Sequence, residues 1–407
     1  MNKQRRQEGE KVNKMVASYL RGYKSLFPDF IQSDEIMWNL LEQKTITLGI
    51  RSYIAYKLYN LSGGQNWEKV IGPLLGAIEM SIVSTYATNR IFDQKKGGKT
   101  DTEVIKSIMA SALARDGMYH ILHTNYNPEL ISRLQLWYEI SNIHRWFYQG
   151  QYINSFKNIL PDVINKKLVI ENLPSGFSYV EQQIDKVKSL VTDKIKDITD
   201  NELDNFLKNQ FLRLYLINSH FYERFAVLGV RMHKDITSEQ ESFLEGFGAL
   251  YGVGSQIVND VIDFALPSMN IECMAKTKED FFNDLKNRLA TFPIFLGVYA
   301  KNNSIQKEIL SEYYFSYEDR YLSESQMEDI LYYLIDSKAI QISLQIALLC
   351  LEEAKTCLEK SYVLRLDNAL RDIFRISKES RFIVNMFKWY RKQKQLKKEV
   401  SEVCQVA

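Results

Sequence analysis

The stretch Gln256-Ile-Val-Asn259-Asp260-Val-Ile-Asp263 decides how this chain reads. Asp260 and Asp263 are three apart, so on a helix both carboxylates leave one face, with Gln256 a turn earlier and Asn259 alongside. Oxygen ligands on successive turns suit Mg2+, which takes carboxylates, water and substrate phosphates. A surface or N-capping aspartate pair is the alternative. Just upstream stand Gly246, Gly248, Gly252 and Gly254. Glycine costs a helix roughly 1 kcal/mol relative to alanine. Four together imply close helix packing or a substrate lying against bare backbone.

Outward from this stretch, apolar residues recur at three- and four-residue spacing, the helical period. Leu75, Ile78, Ile82 and Tyr86 form one stripe, and Leu214, Ile217, Phe221 and Phe225 another. The seven prolines, Pro28, Pro73, Pro128, Pro161, Pro174, Pro267 and Pro293, fall between such stretches, as do Gly63-Gly64, Gly97-Gly98 and Asn302-Asn303. Without a repeat or a low-complexity linker, one large helical bundle accounts for most of the 407 residues. Residues 1–30 read as an N-terminal extension, 31–375 as the helical domain and 376–407 as a basic, aromatic tail. The tail, with Lys388, Trp389, Tyr390, Arg391 and Lys392, suits an anionic membrane surface, a cover over a diphosphate, or a solvated terminal helix.

Composition excludes several function classes. A formal charge of +2 gives no electrostatic footprint for nucleic acid. The polar start MNKQRRQEGEKVNK does not read as a signal peptide, and no apolar run approaches the ~20 residues of a membrane span, so a cytoplasmic location is expected. Cys273, Cys350, Cys357 and Cys404 lack zinc-site spacing and read as free thiols. The sequence contains no H-E-x-x-H, G-x-S-x-G or P-loop pattern.

The extended stretch Gly248-Ala-Leu-Tyr-Gly252-Val-Gly-Ser-Gln256-Ile-Val-Asn259-Asp260-Val-Ile-Asp263, followed by Asp284-Leu285 and Thr291-Phe292-Pro293, resembles the trans-polyprenyl diphosphate synthases. That family carries a second aspartate-rich motif within G-x-x-x-G-x-x-x-Q-I-x-D-D-x-x-D and then a D-L-x-x-x-x-x-T-L-P segment. Other stations follow in the family's order. Gly49-Ile50-Arg51 resembles its G-K-R entrance, and Asn89-Arg90-Ile-Phe-Asp93 stands at its first aspartate-rich motif. Lys95-Lys96-Gly97 resembles R-R-G, Gln149-Gly150-Gln151 resembles E-G-Q, Lys186-Val187 resembles K-T, and Ile340–Ala347 resembles the late alanine-rich helix.

The resemblance, which spans residues ~35–375, implies an all-α isoprenoid synthase-type bundle with a deep apolar pocket between two facing metal-binding helices. It implies Mg2+ as cofactor, a prenyl diphosphate as substrate and a homodimer. Asn89, Asp93, Gln256, Asn259, Asp260 and Asp263 would then hold metal, with Asp260, Asp263 and Lys186 catalytic. Arg51, Lys95, Lys96, Gln151 and Lys186 would hold the diphosphate. Ser84 and Thr85 would floor the pocket, small enough to admit a long chain. Trp137, Trp146, Phe147, Tyr148 and Tyr86 are candidates to face a carbocation, or are plain core.

Two departures bear on activity. The first motif keeps only Asn89 and Asp93 where the family has D-D-x-x-D, with the cation Arg90 between them. Ile50 replaces the lysine that helps hold isopentenyl diphosphate in the family, and Leu289 replaces a later lysine. The expected function is a Mg2+-dependent terpene synthase or atypical prenyltransferase acting on farnesyl, geranylgeranyl or longer diphosphates. The alternatives are an inactive subunit paired with an active synthase, and a conventional chain-elongating synthase.

Overall fold

Helix starts are written locally into this chain. Thr199 with Glu202, Thr237 with Gln240 and Ser323 with Gln326 each form a reciprocal capping box. Pro73, Pro128, Pro161 and Pro293 stand in first turns, where a missing N–H loses nothing. The computed structural model describes residues 3–25, 50–92, 101–264, 282–316, 321–361, 386–388, 390–392 and 395. Its main helices are α1 (Lys3–Lys24), α2 (Ile50–Leu61), α3 (Gly72–Phe92), α4 (Asp101–Asn125), α5 (Leu136–Phe156), α6 (Ile184–Thr192) and α7 (Asp200–Leu214). A π turn, Tyr215–Ser219, joins α7 to α8 (His220–Arg231). There follow α9 (Ser238–Ile262), α10 (Phe292–Val298), α11 (Ile305–Phe315), α12 (Glu324–Asp336) and α13 (Ala339–Lys360). Among the described residues extended pairing is confined to isolated bridges, Ile159 with Leu289 and Ile195 with Ala300. The chain is all-α.

α8 is the axis of the bundle. Tyr222, Ala226, Val227 and Val230 belong to one apolar core with α7, α9, α10 and α13. Phe221, Phe225 and Leu228 belong to a second core with α1 to α5. A helix apolar on every side must be covered on every side. Several of its polar groups are paired internally, although both ring nitrogens of His220 are buried without a hydrogen bond. The Arg224 guanidinium forks onto both Glu139 oxygens at 2.7 and 2.6 Å and reaches Glu245 at 2.6 Å. Tyr215 donates its hydroxyl to Glu223 at 2.6 Å.

α9 lies against α8 on one side and α13 on another, and its glycines make this possible. A Cβ at Gly248 would stand 2.3 Å from the Glu223 Cα, and one at Gly252 2.3 Å from the Ser219 Cα. One at Gly254 would meet Leu351 and Ala347 of α13. The four-glycine stretch thus serves helix packing.

The ends of the chain join this bundle. α1, read from sequence within a separate extension, buries Val12, Val16 and Tyr23 in the second core. In the tail, Met386 and Tyr390 are buried, and Tyr390 donates its hydroxyl to Asp336 of α12. Lys388, Arg391 and Lys392 face solvent. Cys350 and Cys357 are buried free thiols, raised by burial to about 12 and about 11; Cys273 and Cys404 lie outside the described residues. Leu75, Ile78 and Ile82 are core, but Tyr86, expected in the same stripe, is exposed. No single described helix is long and apolar enough to cross a membrane, although α12 and α13, bent by 61° from one another, pass that test as a pair.

Candidate functional site

The motif forms the last two turns of α9, and its four polar residues separate there. Asn259 faces solvent, Gln256 is half-buried, and Asp260 and Asp263 are buried. Asp260 meets a partner absent from the motif itself. Arg213 of α7 donates from Nη2 to Asp260 Oδ2 at 2.6 Å, the two side chains being 3% and 2% exposed. The other carboxylate oxygen, Oδ1, accepts from Gln256 Nε2 at 3.0 Å.

The guanidinium is held on its remaining sides. Nε donates to Gln210 Oε1 at 3.0 Å and Nη1 to Asn154 Oδ1 at 3.1 Å. Gln210 donates in turn to Asn158 Oδ1 at 2.7 Å. A buried charge pair is tolerated when its remaining donors and acceptors are satisfied in this way.

Asp263 closes the next segment. Its Oδ2 accepts from the Asp284 N–H at 2.8 Å and its carbonyl from the Phe282 N–H at 2.9 Å. This seats the short turn Asn283–Lys286 on the end of α9. The Asn158 carbonyl accepts from Ala290 N–H at 2.9 Å, tying in the chain that leads to Thr291-Phe292-Pro293.

On the opposite side, the π turn presents Asn218, which donates to the Gly252 carbonyl at 2.8 Å and accepts from Arg51 Nη2 at 2.5 Å. Arg51 lies over the Phe221 and Tyr222 rings, 5.0 and 5.4 Å from their centroids. π turns insert a residue into a helix and often mark functional positions. Gly150 of α5 packs on this turn; a Cβ there would sit 2.8 Å from Ile217 N. Gln151, three residues before Asn154, is buried on α5.

Of the distant sequence stations, Asp284 is thus bound at the C-terminal end of α9, whereas Arg51 and Gly150 meet the π turn, which bonds to Gly252 near the middle of that helix. Lys186 is placed differently. It is exposed on α6 and pairs with Glu353 of α13 at 3.1 Å, outside the Asp260 network. The π turn against α9 carries Asn218 and Ser219.

At the first motif, Asn89 Oδ1 is buried without a hydrogen-bond partner. Ser84 and Thr88 both bond to Ser111 of α4, at 3.0 and 2.9 Å, and Thr85 bonds to the Ile82 carbonyl at 2.8 Å. Ser84 and Thr85 are buried. Asp93, Lys95, Lys96 and the side chain of Arg90 lie outside the described residues. Of the aromatic candidates, Trp146 and Phe147 are core, with Phe147 edge-on to Phe221; Trp137 packs on Tyr119.

Arg213, Gln210, Asn154 and Asn218 were not singled out by the sequence reading. Gln210, Arg213 and Asn218 lie between Phe206 and Phe225, where polar residues are interleaved with large apolar ones, and Asn154 stands three residues after Gln151.

The expected metal jaw can be tested on this geometry. Among the described residues no group of three or more His, Cys, Asp and Glu side chains is placed to hold a metal ion. Asp260 is neutralised by a guanidinium, and Asn259 contributes no charge. A divalent cation about 5 Å from that guanidinium would meet a repulsion of roughly 7 kcal/mol at an effective dielectric near 20. As they stand, the described residues of α9 do not fit a divalent cation.

No family model matches the chain, and no curated protein matches it. Solved structures do. A polyprenyl synthase from Caulobacter crescentus, in complex with calcium and isoprenyl diphosphate, superimposes with a TM-score of 0.61 at 14% identity, covering 93% of this chain and 97% of that one. A geranylgeranyl pyrophosphate synthetase from the archaeon Geoglobus acetivorans gives 0.57 at 16% identity, with coverages of 93% and 98%. A geranylgeranyl pyrophosphate synthase from Corynebacterium glutamicum, complexed with isoprenyl diphosphate and magnesium, gives 0.61 at 11% identity, with 93% and 98%. The protein has the all-α isoprenoid synthase fold over nearly its whole length.

Proposed function

We propose that this protein is a divergent trans-polyprenyl diphosphate synthase relative, an enzyme of the prenyltransferase class that acts on an isoprenoid diphosphate. The observation that carries the reading is a fold shared with prenyl synthases over 93% of the chain. It is supported by the family order of the sequence stations, of which Arg51 and Asp284 are tied to α9, the first through the π turn and the second directly. The similar structures complexed with isoprenyl diphosphate support the substrate class. Within that class we favour a terpene synthase or atypical prenyltransferase over an elongating synthase, because Ile50 stands at the entrance lysine and Asn89 at a first-motif aspartate. In this reading Arg51, fixed through Asn218, supplies positive charge for the diphosphate, as would Lys95 and Lys96, which lie outside the described residues. Buried aromatic and aliphatic side chains would exclude water from the prenyl chain.

A second reading, an inactive subunit paired with an active synthase, is favoured by the Arg213–Asp260 pair. We further propose a cytoplasmic location, with a homodimer under the first reading and a heteromer under the second. The exposed Lys388, Arg391 and Lys392 give the tail a face suited to an anionic surface.

The test is incubation of the purified protein with farnesyl and geranylgeranyl diphosphate, with and without isopentenyl diphosphate and Mg2+. Release of diphosphate without chain growth supports the favoured reading, and a longer labelled product indicates elongation. No turnover alone, but altered products when mixed with an active D-D-x-x-D synthase, supports the second reading. Failure to bind any prenyl diphosphate refutes the first reading, and failure also to alter an active synthase refutes the second.

A further inference from the structure

The end of α9 differs from an open metal jaw in one physical respect: its cation is already present. We propose that Arg213 is a built-in substitute for a divalent ion at the second motif, so that this side of the site is organised by a guanidinium and takes no metal. Asp260 is placed where its chain neighbours should make it a ligand, at the end of a helix beside Asn259 and Asp263. Yet its two oxygens are turned to Arg213 and Gln256.

Nothing in the arrangement is incidental. Burying a guanidinium in an apolar helix is unfavourable unless its donors are met, and here three elements meet them. Asn154 comes from α5, Gln210 from α7 and Asp260 from α9. Asn158 fixes Gln210 in turn, so the head group is locked from behind as well as from the side. A flexible lysine could withdraw to solvent; this planar fork, 3% exposed, has no such route.

The charge balance agrees. Asp260 and Asp263 stand against one guanidinium, and Asn259 adds none. A carboxylate pair that would attract a divalent ion is reduced to a single net negative charge. Asp263 is itself bound to the Asp284 N–H and holds the following turn. The ion pair thus ties α7 to α9 and leaves less negative charge at this end than an open carboxylate pair would offer a divalent ion.

This inference concerns side chains of this chain alone and does not rest on the prenyl diphosphate reading; absence of turnover leaves its test unaffected. The probe is Mn2+, followed by electron paramagnetic resonance and by thermal unfolding with and without the ion. Wild type and the double variant Arg213→Met/Asp260→Asn are expected to bind Mn2+ equally, since Asp260 contributes nothing in either. Arg213→Met alone is expected to gain a Mn2+ site and to be stabilised by Mn2+, an effect erased by adding Asp260→Asn. If Arg213→Met folds only when Mn2+ is present, the proposal is likewise supported. Two results overturn it: a wild-type Mn2+ site lost in the double variant, or a folded Arg213→Met protein that gains no site. Should Arg213→Met fail to fold with or without Mn2+, the comparison of wild type with the double variant decides alone.

Discussion

Replacing Gly252 by alanine sets two effects of opposite sign against each other. In an open helix, glycine to alanine stabilises by about 1 kcal/mol through reduced backbone entropy. At Gly252 the new methyl group would lie 2.3 Å from the Ser219 Cα, against an optimum separation of roughly 3.5–4.0 Å. Ser219 belongs to the π turn, so the obstacle is backbone and cannot rotate away. α9 and the π turn would have to part by about 1 Å, and overpacking of this kind costs about 1–3 kcal/mol or more. The separation also strains the Asn218–Gly252 hydrogen bond, worth about 1 kcal/mol. The net expectation is a loss of about 2 kcal/mol, roughly a thirtyfold shift toward the unfolded state. Urea unfolding followed by circular dichroism measures it. Gly22 is the control, since a Cβ there meets nothing within 4 Å; its alanine variant should be unchanged or stabilised by up to about 1 kcal/mol. A Gly252→Ala protein as stable as wild type would show that the glycines are not there for helix contact. The alternative of a ligand lying against bare backbone would then regain its force.

Two further outcomes follow from buried charge. Arg224→Met strands Glu139 and Glu245, of which Glu245 is raised above the usual carboxylate range by its burial; breaking such a pair costs about 3–5 kcal/mol. Arg231→Met, at a more exposed pair of 3.7 Å with Glu241, should cost less than about 1 kcal/mol in the same urea series. His144, bonded to Ser81 and buried, is lowered from 6.5 to about 4 by burial and by Arg115. The unfolded chain therefore takes up a proton at His144 as pH falls through 6.5, while the folded chain resists until about 4. Stability is full above that window and declines through it, by about 2 kcal/mol between pH 7.5 and 5. His144→Gln should remove this part of the slope, and an identical pH dependence in both proteins would contradict the assignment.

The fold was legible because its signals are local. Helical period, capping boxes such as Thr237 with Gln240, and first-turn prolines each act within a few residues, and they mark α9 before any contact is known. The Gly248, Gly252 and Gly254 spacing also announced a close approach, though not its partner. Tyr86 shows the limit of periodicity: it keeps the spacing of Leu75, Ile78 and Ile82 but is exposed, while Thr85, Ala87 and Thr88 beside it are buried. Lys186 shows another limit, since a two-residue pattern recurs by chance, and its side chain bonds to Glu353.

By itself, the sequence determined an all-helical bundle, the order of its stations and the helix that carries Asn259, Asp260 and Asp263. Only the tertiary structure decided what Asp260 does. Its partner is 47 residues away in the chain, and their meeting depends on the crossing of α7 and α9, on the π turn and on three glycines that let the backbones touch. Periodicity fixes which face a carboxylate leaves, because that is set by one helix. Whether the carboxylate meets a metal or a guanidinium is set by the neighbouring helix.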